Sequence, residues 1–76
     1  MEEKNLVYEV ILTIWNLAKK YGFGRLNNEE WESLIQEAMQ YQRKYSQIDS
    51  NIERLFRDMY GTLEAYYERK NNGQNL

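Results

Sequence analysis

The 76-residue chain contains no cysteine, no histidine and no proline. The first two absences exclude disulfides, structural zinc, thiol nucleophiles and imidazole acid–base chemistry, leaving only carboxylates to hold a hard cation. Basic residues are not in excess, with ten Lys and Arg against twelve Asp and Glu and a formal charge of −2. A dedicated nucleic-acid binder needs a basic surplus to neutralise a row of phosphates, so that class is disfavoured, although a local basic patch remains open. No apolar run approaches the ~18 residues of a membrane span. The opening Met1-Glu2-Glu3-Lys4 carries acids where a signal peptide carries basic residues. The expectation is a cytoplasmic protein with no membrane partner.

Apolar residues supply 42% of the chain and charged residues 29%, a composition that folds and does not stay disordered. The length is that of one domain, residues 1–76, and folding at this size buries only about 60 to 65% of the surface exposed by the unfolded chain. Chains this short and lacking disulfides or metal depend on regular helix packing or on self-association.

Three helical segments can be read from the spacing. Between Glu2 and Tyr21 there is no glycine, and Val7, Ile11, Ile14, Ala18 and Tyr21 recur at helical intervals. Acids at Glu2 and Glu3 and bases at Lys19 and Lys20 suit the two ends of the helix dipole. Gly22 and Gly24 stop this segment. Asn27 with Glu30 forms a capping box, and Leu26 with Trp31 a hydrophobic staple, so a second helix starts at Asn28. Its stripe is Trp31, Ile35, Ala38, Tyr41 and Tyr45, with Leu34 and Gln42 beside it.

Ser46–Asn51 holds neither glycine nor proline, but Ser50 with Glu53 fits another capping box, which predicts a short turn. Without that turn, residues 28–71 would form one helix of about 65 Å that only a dimer could bury. The third segment carries Ile52, Leu55, Met59, Thr62 and Tyr66, flanked by Phe56 and Leu63, and ends at Asn71-Asn72-Gly73. The expected fold is therefore all-α: a three-helix up-down-up antiparallel bundle with helices at about 2–21, 28–45 and 50–71, dimeric, and with 72–76 as a frayed tail.

Two surfaces exceed what such a bundle requires. On the first helix Leu6, Val7, Val10, Ile11, Ile14, Leu17, Ala18 and Tyr21 share one broad face, and Tyr8, Leu12 and Trp15 fall outside it and widen the apolar arc to roughly 240°, against about 100° for a surface helix. Either this helix is sandwiched between the other two, or those three residues form a partner surface, for which a homodimer is the simplest occupant. On the third helix Gly61 and Ala65 lie opposite the apolar stripe near Arg54 and Arg57. A mid-helix glycine costs about 1 kcal/mol relative to alanine, and it would admit a close backbone or a phosphate. A solvated face that merely tolerates glycine is the simpler account.

No nucleophile–base pair, carboxylate pair or phosphate-cradling loop is present, so no catalytic, cofactor-binding or metal-binding residue is assigned and the chain is read as a non-enzyme. Gly22-Phe23-Gly24 lacks the third glycine and preceding strand of a dinucleotide fingerprint. Glu29, Glu30, Glu32 and Glu37 are explained by the helix dipole and a solvated face. Tyr41, Tyr45, Tyr60, Tyr66 and Tyr67 are expected to rim the bundle with rings buried and hydroxyls in water.

The order of Trp15, Lys19-Lys20-Tyr21, Trp31-Glu32, Arg43-Lys44-Tyr45, Arg57-Asp58-Met59 and Leu63-Glu64 resembles the short helical proteins encoded in prophages and mobile elements of Gram-positive bacteria. The resemblance covers roughly residues 12 to 70 and carries over no site residue. It implies a mobile-element protein that acts by binding. The expectation is thus a helical protein–protein interaction module, with an accessory nucleic-acid binder using the Arg54 and Arg57 face as the alternative.

Overall fold

The computed structural model describes residues 2–72 and contains three helices, α1 (Glu3–Tyr21), α2 (Asn28–Ser46) and α3 (Ser50–Asn71). Met1 and residues 73–76 lie outside the described residues, and with them most of the expected frayed tail and the Gly73 stop. None of the described helices is long and apolar enough to cross a membrane.

Each helix ends where local chemistry makes continuation unfavourable. At the end of α1, Gly22 takes φ +80° and its N–H donates to Ala18 O at 2.9 Å, a backbone conformation that side chains with a Cβ rarely adopt. At the start of α2 the capping box is complete: Glu30 N–H donates to Asn27 Oδ1 at 2.8 Å and Asn27 N–H donates to Glu30 Oε1 at 3.0 Å. Leu26 is buried with Trp31 packed into the same cluster, so the staple also forms.

The turn between α2 and α3 forms, which rules out a continuous 28–71 helix, but its cap differs from the expected one. Asp49, not Ser50, is the N-cap. Its carboxylate accepts from Asn51 N–H at 2.7 Å and Ile52 N–H at 3.2 Å, while its backbone is extended at φ −165°, ψ 132°. A short side chain that satisfies the next turn's free amides competes with helical hydrogen bonding, and so breaks the helix without glycine or proline.

The helices alternate in direction. Gln42 donates to Glu53 at 3.1 Å beside the α2–α3 turn, and the rings of Trp31 and Tyr67 meet edge-on at 6.5 Å at the opposite end. Helix α3 packs along both partners, whereas α1 and α2 touch each other sparingly. The shared central helix is therefore α3, and the alternative in which α1 is sandwiched is not realised. One core cluster gathers Leu6, Val10, Ala38, Tyr45, Ile52 and Phe56, and a second gathers Leu17, Leu26, Leu34 and Tyr67, with Tyr41 and Tyr60 against both.

The buried faces fall within the expected apolar arcs but not at their centres. On α1 the buried line is Leu6, Val10, Thr13 and Leu17 with Ala18, and Ile11 is exposed. On α3 it is Ile52, Phe56 and Tyr67, and Thr62 is exposed. The reason is geometric: the nearest neighbour of α1 is α3, and that contact turns both helices toward each other instead of centring each on its most apolar arc.

The tyrosine rim also needs correction. Tyr45 and Tyr67 are fully buried, and their hydroxyls bond internally instead of meeting water. Tyr45 Oη and Thr13 Oγ1 are 2.9 Å apart, and Tyr67 Oη donates to Gly22 O at 2.6 Å. Burial raises the pKa of both phenols, and for Tyr45 the Thr13 hydrogen bond partly offsets the rise. Burial raises that of Tyr60 as well, helped by the neighbouring Glu64 carboxylate.

Candidate interaction surface

With α3 covering one side of α1 and α2 touching it only sparingly, the outer side of α1 is left to solvent. Tyr8, Ile11, Leu12 and Trp15 are respectively 65%, 49%, 39% and 50% exposed. The three residues proposed from spacing are thus brought together on one uncovered stripe, and Ile11, assigned by periodicity to the core, joins them. The signal for Ile11 was present: it sits three residues after Tyr8 and four before Trp15, the spacing of neighbours on one helix face.

Phe23 completes the surface, and nothing in the periodicity pointed to it. It follows Gly22 in the α1–α2 link and is also half exposed. Its ring lies 6.1 Å from that of Trp15, tilted by 33°. The link is held by α3: Tyr66 Oη donates to Phe23 O at 2.7 Å, Tyr67 Oη donates to Gly22 O, and Leu26 N–H donates to Asn71 Oδ1 at 2.9 Å. Arg25 Nη2 also donates to Asn71 O at 3.0 Å, giving the final carbonyls of α3 a cation. A loop tied down by these groups presents Phe23 in one place, so the aromatic pair is part of a preformed surface.

A lysine stands at each end of this stripe, Lys4 with Glu2 3.9 Å away and Lys19 with no ion pair of its own among the described residues. Lys19 Nζ lies 5.8 Å from the Trp15 ring centroid, within the range of a cation–π contact. The acids of the α1–α2 seam are engaged elsewhere. Glu9 pairs with Lys44 at 2.7 Å, and Glu37 pairs with Lys20 and accepts from Tyr21 at 3.0 Å. Hydrogen bonding to Glu37 raises the pKa of Lys20, and hydrogen bonding to Glu9 raises that of Lys44.

Beside the stripe, between α1 and α3, runs an almost wholly apolar groove of about 360 Å³ lined by Ile14, Met59, Thr62, Leu63 and Tyr66. A larger hollow of about 520 Å³ lies around Arg25, Asn27, Glu30 and Asn71. Its polar groups already serve the α2 cap and the α3 terminus.

Gly61 and Arg54 are exposed, Ala65 is half-buried, and a Cβ added at Gly61 would meet nothing within 4 Å. Arg57 pairs with Glu53 one turn earlier at 3.3 Å, the stabilising orientation for an i,i+4 pair. The open space over Gly61 shows no neighbouring group with which it forms a cradle. Comparison with protein-family models, curated proteins and solved structures returns no match for this chain.

Proposed function

We propose that this chain is a non-catalytic helical protein–protein interaction module that self-associates through the outer stripe of α1. The observation that carries the reading is the joint exposure of Tyr8, Ile11, Leu12, Trp15 and Phe23 on one side of the molecule. Aromatic side chains of this kind dominate interface energies, and contiguous apolar patches of this size mark contact sites. The non-catalytic reading is supported by the engagement of Glu9, Glu37 and Glu53 in ion pairs and of Thr13, Tyr45 and Tyr67 in internal hydrogen bonds.

Aromatic side chains bury 150–250 Å² each when fully covered, so the half-exposed stripe offers about 500 Å² per copy. That is below the ~800 Å² of a standard interface and corresponds to a weak dimer, with Kd between about 1 µM and 1 mM. Light scattering over a dilution series reaching about 1 mM tests this, using the wild type beside a Leu12→Ala, Trp15→Ala double variant. A concentration-dependent dimer is expected for the wild type and a folded monomer for the variant. Both positions are exposed, so the substitutions leave the core intact. A wild type that stays monomeric at the top of the range overturns the proposal, as does a double variant that dimerises equally well.

A further inference from the structure

The stripe has an internal symmetry that identifies how two copies would meet. Along α1 it reads Lys4, Tyr8, Ile11, Leu12, Trp15, Lys19, at steps of four, three, one, three and four. The order is the same from either end: two aliphatics at the centre, one aromatic on each side, one lysine beyond each aromatic. At 3.6 residues per turn these six positions fall within an arc of about 100°. The α1 acids Glu3 and Glu9 lie off that arc, Glu9 being drawn toward α2 by Lys44.

We infer that the α1 helices of two copies pack antiparallel across a two-fold axis between Ile11 and Leu12; this rests on the self-association proposed above. A two-fold interface must be complementary to itself, and a palindromic stripe meets that condition. Tyr8 then faces the partner's Trp15, and Ile11 faces the partner's Leu12. Lys4 faces the partner's Lys19 at both ends.

Charge selects this direction over a parallel pair. In the antiparallel arrangement each Lys4 sits against the last turn of the partner's α1, at the negative end of its dipole, which offsets the neighbouring Lys19. A parallel pair would set Lys4 beside the partner's positive helix start and add no compensation. The remaining like-charge contact is exposed and is screened by salt, so this dimer tightens as ionic strength rises. Phosphate-mediated binding would weaken instead.

Because the chain has no cysteine, introduced thiols report the geometry directly. Single variants Leu12→Cys, Lys4→Cys and Lys19→Cys are oxidised at concentrations where the chain scatters as a dimer, and Lys4→Cys is also mixed with isotope-labelled Lys19→Cys. Antiparallel pairing predicts disulfide dimers for Leu12→Cys alone and for the Lys4→Cys with Lys19→Cys mixture. It predicts none for either lysine variant alone, whose thiols would be about 22 Å apart along the helix.

A Lys4→Glu variant supplies an independent readout, since it replaces both end repulsions with pairs to Lys19 and puts an acid where the α1 dipole favours one. A dimer tightened about threefold to tenfold is expected. Crosslinking of Lys4→Cys or Lys19→Cys by itself overturns the antiparallel arrangement while leaving self-association standing. A scattering dimer in which Leu12→Cys does not crosslink, or in which Lys4→Glu fails to tighten, does the same. A chain monomeric throughout overturns both.

Discussion

Thr13 is the one polar side chain buried on the inner face of α1, and its hydroxyl is 2.9 Å from that of Tyr45 on α2. Removing one partner leaves the other buried and unsatisfied, so Thr13→Val is expected to destabilise the fold by about 1 to 3 kcal/mol in urea denaturation. Adding Tyr45→Phe to that variant should recover most of the loss, because both polar groups are then gone. A Thr13→Val change costing under about 0.5 kcal/mol would show that the bond contributes little. Neither member of this pair was legible in the sequence. Periodicity places a tyrosine by its ring, whereas the fate of its hydroxyl depends on a residue 32 positions away. The same holds for Tyr67, whose acceptor Gly22 lies in another element, and for Ile11, which sits where two overlapping apolar stripes meet.

At the scale of the element, the ends of the helices were legible because they are set by residues three or four apart. The Asn27 and Glu30 box and the Leu26 and Trp31 staple stand as the spacing predicts. The α3 helix begins at Ser50 as expected, but its cap is Asp49 and not Ser50. Both can accept from the first free amides, and only the backbone conformation decides between adjacent candidates. Within α3, Gly61 has no positive φ and no atom where its Cβ would go, so the glycine costs backbone entropy and returns no contact. Gly61→Ala is expected to raise stability by about 0.5 to 1 kcal/mol, read as a higher urea midpoint at unchanged slope. A destabilised variant would mean that something approaches this face closely, and would reopen the Arg54 side of α3 as a contact surface.

For the whole molecule, stability must depend on pH in one direction at the alkaline end. Tyr45, Tyr60 and Tyr67 have pKa values raised above the ordinary 10.0 by burial, and Lys20 and Lys44 above 10.5 by their carboxylate partners. In each case the folded state holds its proton more tightly than the unfolded chain. The contribution is therefore complete below the unfolded values and is lost as pH rises through the folded ones. Circular-dichroism melts should show a level Tm from about pH 7 to 9 and a fall of several degrees by about pH 11. Phenolate absorbance should grow in step with the loss of helix. A Tm unchanged at pH 11 would mean that these hydroxyls are not held from water as the fold implies. The sequence by itself determined that the chain is helical, where α1 ends and α2 begins, and that α1 has more apolar surface than one neighbour can cover, because capping, dipole and spacing act within a few residues. Only the tertiary structure decided that α3 is the shared helix, that Tyr45 and Tyr67 turn their hydroxyls inward, and that Phe23 is pinned beside Trp15. Those outcomes depend on how three helices divide one core among them, and a periodic pattern gives the width of an apolar arc without saying which part of it a neighbour will cover.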